Sequence, residues 1–269
     1  MPLVVCPTPI GNLEDITLRV LRELGEADVV LCEDTRHTRI LLGRHGIRAR
    51  LLSFHRHNEA RRTTELLPRL EQGERIALTS DAGLPGVNDP GARLVAAALD
   101  RGLEVTVLPG PSAVETALVA SGLVGERYTF LGYLPRNSAG LERLWDEVRG
   151  WGWPAVAFES PRRLPAALAS LAEAHPERPV AVCRELTKQF EEVVRGTSTE
   201  LADRFKAAPK GEITVVVGAD PAPAASVEDG AALEAVSLLV AAGTPRRVAA
   251  DVVARLTGVS KNTLYRGSL

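Results

Sequence analysis

Short apolar runs alternate with longer helical patterns along most of the sequence, and this alternation constrains the fold more than any other feature. The runs that predict strands are 3–6, 28–32, 51–54, 75–79, 104–108, 128–133, 155–158, 180–183 and 213–218. Most of these runs are continuously apolar, as strands covered on both faces are, which favours a mainly parallel α/β fold.

The length of 269 residues suits two domains of roughly 100–150 residues each. Glycines near 121–127 and a Pro/Ala-rich stretch at 219–225 predict boundaries, which gives α/β domains at 1–121 and 122–220. Three short helices at 230–242, 246–256 and 260–266 predict a helical module at 226–269 that resembles a helix-turn-helix. No apolar run approaches the ~20 residues that span a bilayer, and the opening residues lack a signal-peptide pattern.

The arginines are concentrated in one segment although the net charge is only −2. Between Arg36 and Arg62 there are eight arginines and a single acid, Glu59. The segment from Thr244 onward is also basic. Two such segments in a nearly neutral chain favour a polyanionic partner. The alternative is a solvated helix face or a set of internal ion pairs.

Cysteine usage and the missing motifs narrow the chemistry. Cys6, Cys32 and Cys183 lie far apart in apolar runs, which predicts small buried side chains in a reducing cytoplasm, without disulfides or zinc. The chain has neither a G-x-G-x-x-G dinucleotide motif nor a P-loop, and no metal-binding spacing, so we expect no metal site.

Three Pro/Gly loops directly follow predicted strands, at 7–12, 80–91 and 109–112. Because ligands bind outside the carboxyl ends of the strands in open α/β sheets, these loops should gather at one edge. Glycine lets the backbone approach a ligand, and Asp81 can accept hydrogen bonds from a hydroxyl or an ammonium group. Any one loop could instead be a tight turn, and Asp34 after the second strand could be a helix N-cap.

Together these segments resemble one family, ribosomal RNA small subunit methyltransferase I of the tetrapyrrole methylase superfamily. The matching segments are 7–13 with 15–17, 33–38, 57–59, 80–83 with 88–91, 108–111, 132–135, 159–164, 184–188, 210–212 and 261–265. They follow the family's order over nearly the whole chain. Leu84 departs from the family, which often has threonine there.

The resemblance implies two α/β domains with S-adenosyl-L-methionine between them, and homodimers. The implied substrate is a cytidine ribose in 16S rRNA near the decoding centre of the small ribosomal subunit. The residues implied for the cofactor are Pro9, Asp81, Gly83, Leu84, Pro85, Ser112, Ala113, Phe158 and Leu186. The residues expected to contact RNA are Arg36, Arg39, Arg56, Arg61, Arg62, Arg246, Arg247 and Lys261.

A ribose hydroxyl is a weak nucleophile, so a base or a cation near the oxygen should help methyl transfer. The candidates are Asp34 as base or orienting acceptor, Arg36 as electrostatic stabiliser, and Asn88 or Asp89 for positioning. Asp34 could also serve only to hold Arg36. Two rival functions stay open: methylation of a corrin-type macrocycle, and RNA binding by a fold that has lost catalysis.

Overall fold

The computed structural model describes residues 2–220 and 227–268, and these group into two compact units, Met1–Asp220 and Pro221–Leu269. The strands are β1 Leu3–Val5, β2 Val29–Cys32, β3 Leu51–Ser53, β4 Ile76–Leu78, β5 Val105–Val107, β6 Thr129–Tyr133, β7 Ala155–Glu159, β8 Pro179–Arg184, β9 Glu192–Thr197 and β10 Ile213–Val217. The helices are α1 Leu18–Glu26, α2 Thr35–Arg44, α3 Glu59–Glu71, α4 Ala92–Asp100, α5 Ala113–Ser121, α6 Ser138–Val148, α7 Leu164–Ala174, α8 Ser198–Arg204, α9 Val227–Ala241, α10 Arg246–Thr257 and α11 Lys261–Gly267.

The first sheet confirms the predicted parallel α/β architecture. Its strand order is β3-β2-β4-β1-β5, and every pairing in it is parallel. Buried Leu3, Leu31 and Leu78 on these strands pack against α3 and α4, and Val4 and Val30 belong to a second cluster on the other side. With both faces covered, the carboxyl ends of the strands form the open edge of the sheet.

The second sheet is mostly antiparallel, so the expectation of a mainly parallel architecture fails there. Its order is β6-β7-β10-β8-β9, and only the β6–β7 pairing is parallel. The strands β7, β8 and β10 are nevertheless buried almost throughout. A continuous apolar run therefore indicates that both faces of the strand are covered, but it does not indicate whether the neighbouring strands are parallel or antiparallel.

Helix α5 connects the two sheets along the chain and packs on the second one. Val114, Ala117 and Leu118 of α5 form a cluster with Val156 and Val216. Cys183 joins the same cluster, and all three cysteines are free and buried, as predicted. The predicted division at 121–122 falls between α5 and β6, and the division into two domains stays a prediction.

The second unit contains α9, α10 and α11, which confirms the three predicted short helices. Ala232 and Val236 of α9 pack with Ala249, Val253 and the buried Leu264. Gly258 ends α10 in a left-handed conformation, which favours glycine because a Cβ atom would clash there. Ser260 is the N-cap of α11. Residues 221–225 of the predicted linker lie outside the described residues. Within the described ranges, no helix is long and apolar enough to cross a membrane.

Candidate active site between the two sheets

A cavity of about 900 Å³ lies between the carboxyl edge of the first sheet and the second sheet. The loops after β1, β4 and β5 form one wall, and residues of β6, β7 and β10 form the other. The three Pro/Gly loops therefore meet at one edge of the sheet, as predicted. This volume lies within the ~300–1,000 Å³ typical of small-molecule and cofactor sites.

The loops after β1 and β4 hold each other rigidly by backbone pairing. Thr8 and Gly83 exchange two N–H···O bonds of 2.9 Å each, and the hydroxyl of Thr8 donates to the carbonyl of Ser80 at 2.9 Å. Gly83 adopts a φ of 76°, in the left-handed region that favours glycine. The cavity wall around Asp81 is thus fixed before any ligand enters.

The predicted cofactor residues lie in four places, and most of them line the cavity. Asp81, Gly83, Leu84, Ser112, Ala113 and Phe158 line the cavity. Pro9 lines a smaller neighbouring pocket, and Pro85 is buried in the loop after β4. Leu186 is buried in the apolar cluster against which Phe158 packs, so it stands behind the cavity wall.

Asn88 has the most unusual environment of the predicted catalytic residues. It lines the cavity with a φ of 61°, which a residue with a Cβ rarely adopts. Its amide nitrogen Nδ2 is buried and has no hydrogen-bond partner among the described residues. A buried donor without a partner beside a cavity is a candidate to meet a ligand oxygen.

Carboxylates concentrate beside Asn88. Glu33, Asp81 and Asp89 all line the cavity. Burial, together with the carboxylates of Asp89 and Asp81, raises the pKa of Glu33 to about 7. Burial and the Asp81 carboxylate raise the pKa of Asp89 to about 6. Arg56, which donates from Nη2 to the carbonyl of Asn88 at 2.8 Å, opposes both shifts. The raised pKa values of Glu33 and Asp89 let these two carboxyl groups exchange protons near neutral pH.

Asp34 and Arg36 have a different arrangement. Asp34 is the N-cap of α2 and accepts from the backbone N–H of Arg36 at 2.8 Å. The guanidinium of Arg36 donates to both carboxylate oxygens, with Nη2 at 2.7 Å from Oδ2. Hydrogen bonds from Arg36 lower the pKa of Asp34 below its usual range. In this structure Asp34 therefore holds Arg36 and caps α2, which is the alternative to a role as base.

The loop leading to α4 corrects one local prediction. The pattern Asp89-Pro90 predicts an N-cap followed by proline at the first helical position. The structure has Gly91 as the N-cap, with a φ of 135°, and its backbone N–H donates to Glu59 Oε1 at 2.9 Å. Asp89 instead belongs to the lining of the cavity.

The opposite wall is aromatic. Phe130 and Tyr133 of β6 both contact Phe158 of β7 edge to face, with ring centroids 5.1 and 5.6 Å away. Tyr128 donates to Glu115, which also accepts from the hydroxyl of Ser112. The pattern from Ser112 to Glu115 predicts a capping box at the start of α5. Ser112 is the N-cap, but its side chain makes no hydrogen bond to the backbone, so the capping box does not form.

Sequence reasoning missed Glu33, Glu115, Tyr128, Tyr133 and Glu212 among the lining residues. Glu33 carried the same signal as Asp34, a carboxylate directly after the second strand. Burial raises the pKa of Glu33, whereas hydrogen bonds from Arg36 lower the pKa of Asp34. The sequence around one position does not predict this difference. No group of three or more His, Cys, Asp or Glu side chains within the described residues could hold a metal ion.

The predicted RNA-binding residues of the first unit are partly neutralised. Arg61 and Arg62 pair with Glu65, at 3.4 and 2.8 Å, and Arg36 is held by Asp34. Arg39 is exposed on α2, and Arg56 is exposed beside the cavity. The internal ion pairs of the alternative interpretation thus account for three of these five arginines.

Among the predicted residues of the second unit, Lys261 pairs with Asp251 at 2.6 Å, and Arg255 binds the same carboxylate at 3.0 Å. Arg246 and Arg247 open α10, where Arg247 is exposed. Within residues 230–268, no acidic side chain forms an ion pair with either arginine.

Comparison with known proteins gives the family. Residues 2–202 match the Tetrapyrrole (Corrin/Porphyrin) Methylases. The protein named ribosomal RNA small subunit methyltransferase I from Mesorhizobium japonicum is 47% identical over 98% of this chain and 90% of its own length. The protein of the same name from Thermotoga maritima is 44% identical, over 80% of this chain and 97% of its own length.

Among solved structures, the uroporphyrin-III C-methyltransferase from Thermus thermophilus complexed with S-adenyl homocysteine shares the fold. The match has a TM-score of 0.56 at 20% identity, and it covers 81% of this chain and 97% of that structure. By its family match and its identity to these relatives, the chain belongs to the ribosomal RNA small subunit methyltransferase I family of the tetrapyrrole methylases.

Proposed function

We propose that this protein methylates ribosomal RNA of the small subunit, using S-adenosyl-L-methionine to methylate the 2′-hydroxyl of a cytidine near the decoding centre of 16S rRNA. The observation that carries the proposal is a cavity of cofactor size that is lined by the carboxylates of Glu33, Asp81 and Asp89 and by Asn88. Cytoplasmic location and a homodimer, both implied by the resemblance, belong to the same proposal.

The cavity fits a cationic cofactor with an apolar ring. Its carboxylates would stabilise a positively charged ligand, while Leu84, Ala113 and Phe158 offer apolar contacts. S-adenosyl homocysteine in a neighbour of the same fold supports this assignment. S-adenosyl-L-methionine would supply the electrophilic methyl group here. Asp81, Gly83, Leu84, Ser112, Ala113 and Phe158 would hold it at the carboxyl edge of the first sheet.

We assign the proton-accepting role to the Glu33–Asp89 pair, with Asp89 as the primary acceptor. A group with a pKa near the working pH balances availability of the base against its strength. Asp89 meets this condition, whereas the carboxylate of Asp34 is occupied by Arg36. Asp34 would then orient Arg36 as an electrostatic stabiliser, and Arg56 would limit the charge of the acid cluster.

Asn88 would position the nucleophile. Its buried Nδ2 has no partner, so once a small rotation of the side chain exposed it, it would donate to a ribose oxygen without breaking another hydrogen bond. Alignment of reacting groups can contribute about 7–11 kcal/mol in favourable cases. This role requires no change of charge on Asn88.

Arg39, Arg56, Arg246 and Arg247 are the strongest candidates for phosphate contacts. Arginine binds phosphate oxygens through two parallel N–H donors. Arg36, Arg61, Arg62 and Lys261 stay in the proposal as secondary contacts, since each would have to leave or share an acidic partner.

The experiment is methyl incorporation from labelled S-adenosyl-L-methionine into small subunits that lack the modification, with Asp89→Asn as the matched control. We expect 2′-O-methylcytidine with the wild type and little product with the variant. Transfer to a corrin-type macrocycle without transfer to RNA would replace the proposal with the first rival function. RNA binding without cofactor binding would replace it with the second.

A further inference from the structure

A smaller pocket of about 230 Å³ adjoins the main cavity, and we refer to it as the side pocket. It lies between the loop after β1 and the first turns of α2. Four residues line both spaces, namely Ile10, Asp81, Ala82 and Glu212. A ligand that occupied both spaces would therefore pass Asp81.

The side pocket has apolar walls, and its polar lining combines the carboxylates of Asp81 and Glu212 with the ring of His37 and with the hydroxyls of Thr8, Thr38 and Ser80, which already donate to backbone carbonyls. Ile10, Leu13 and Ile40 belong to its lining, and Ile40 is 63% exposed. Ionised carboxylates at Asp81 and Glu212 can accept hydrogen bonds but cannot donate them. A flat ring with an amino group on its edge matches these walls.

Existing contacts leave part of this acceptor capacity open. Asp81 Oδ1 accepts from the backbone N–H of Asp34 at 3.2 Å, and Oδ2 lies 4.0 Å from His37 Nδ1. Glu212 pairs with Lys188 at 3.2 Å, yet its side chain is 74% exposed. Each carboxylate has about four lone-pair sites, so both can accept a further donor.

The size of the side pocket suits one ring. Its volume is several times the ~30 Å³ that a water molecule occupies in the liquid, and it is below the ~300 Å³ where sites for larger ligands begin. Enzymes that act on a nucleotide within folded RNA commonly unstack it and hold the base in a pocket. A base in the side pocket would place its ribose at the junction beside Asp81.

We propose, on the basis of the proposed function, that the side pocket receives the unstacked target base and selects an amino-bearing pyrimidine. The carboxylates of Asp81 and Glu212 would accept from the amino group of cytosine. Uracil has a carbonyl oxygen in place of this amino group. Because that oxygen and the carboxylates are all hydrogen-bond acceptors, they would repel each other. The side pocket would thus place the ribose and distinguish cytidine from uridine.

The test fills the side pocket with Ile40→Trp and compares it with Leu99→Trp, a substitution at an exposed residue of α4. We expect Ile40→Trp to bind S-adenosyl-L-methionine like the wild type, by calorimetry. Methyl transfer to small subunits should fall at least about 100-fold, because a 1 Å misplacement already costs about that much. Leu99→Trp should change neither quantity.

A second comparison uses small subunits that carry uridine in place of the target cytidine. The wild type should prefer cytidine by roughly 10- to 100-fold, the discrimination expected from base-edge hydrogen bonds. Glu212→Gln, whose amide both donates and accepts, should lower that ratio.

Wild-type transfer by Ile40→Trp would overturn the inference, and so would loss of cofactor binding in this variant, because the side pocket would then belong to the cofactor. Equal use of cytidine and uridine by the wild type would overturn the selectivity. If the wild type transferred no methyl group to any RNA, the proposed function itself would fail.

Discussion

Asn88 and Gly132 lie in close contact, so that the loop after β4 packs against strand β6. A Cβ atom built on Gly132 would lie 3.3 Å from Oδ1 and 3.4 Å from Nδ2 of Asn88. Both residues have positive φ, 61° for Asn88 and 69° for Gly132. The β6–β7 pairing also shifts register between Phe130 and Tyr133, around this glycine. The irregularity in β6 makes room for the carboxamide that we assign to the ribose.

Gly132→Ala should impair methyl transfer beyond its effect on folding. A left-handed conformation costs about 1–2 kcal/mol for a residue with a Cβ, and the new methyl group would also press on Asn88. Gly102→Ala is the matched control, because Gly102 has the same φ of 69° and nothing within 4 Å of its built Cβ. Urea unfolding and methyl transfer would be measured for both. Equal activity losses in the two variants would argue against positioning by Asn88.

Asp89→Asn should reduce the methyl-transfer rate far more than Asp34→Asn. Loss of a general base typically costs about 10²–10⁴-fold, whereas Asp34→Asn retains an N-capping side chain. In the wild type the rate should rise as the pH increases through about 6, because Asp89 then ionises. Glu33, Asp81 and Arg56 are the charged or titratable groups beside it. The measurement is the pH profile of single-turnover transfer. A larger loss in Asp34→Asn would return the base role to Asp34.

Glu33→Gln should stabilise the fold at alkaline pH. Because the pKa of Glu33 is raised from its ordinary 4.5 to about 7, the unfolded chain releases this proton at lower pH than the folded protein. The contribution to stability is complete below 4.5 and is lost as pH rises through about 7. At pH 8 the variant should be more stable by about 1–2 kcal/mol, after allowance for solvent screening.

Urea unfolding at pH 8 and well below pH 4.5 measures that difference, with Glu147→Gln on the exposed face of α6 as control. The gain should vanish at the lower pH, where Glu33 is protonated in both states. A gain of equal size at both pH values would show that the substitution acts through packing instead of charge.

Features of the fold and the site that depend on local sequence could be predicted, and features that depend on distant neighbours could not. Apolar runs located the predicted strands to within about two residues. Strand β9 was missed, since its residues Glu192–Thr197 are half polar and all but one are only half-buried. The Pro/Gly loops indicated the site because glycine and proline act locally. The raised pKa of Glu33 and the missing hydrogen-bond partner of Asn88 Nδ2 depend on neighbours that are distant in sequence. They can therefore be recognised only once the fold is known.

Removal of residues 221–269 should weaken binding to the small subunit more than binding of the cofactor. Met1–Asp220 is compact by itself and contains the whole cavity. The match to the Thermotoga maritima relative takes up 97% of that protein and 80% of this chain, so that relative is the shorter protein. Calorimetry with S-adenosyl-L-methionine and a salt series of subunit binding would measure the two effects. Equal loss of both affinities would contradict the assignment of this unit to RNA.

The double variant Arg246→Ala/Arg247→Ala should reproduce most of that loss within the full chain. Each phosphate contact removed should lower the slope of log affinity against log salt by about 1, so the pair should change it by about 2. Arg255→Ala is the matched control in the same helix, because Asp251 would then still be paired with Lys261 at 2.6 Å. The control should leave the slope nearly unchanged. If it changed the slope as much as the double variant, the effect would reflect overall charge and not contacts at the start of α10.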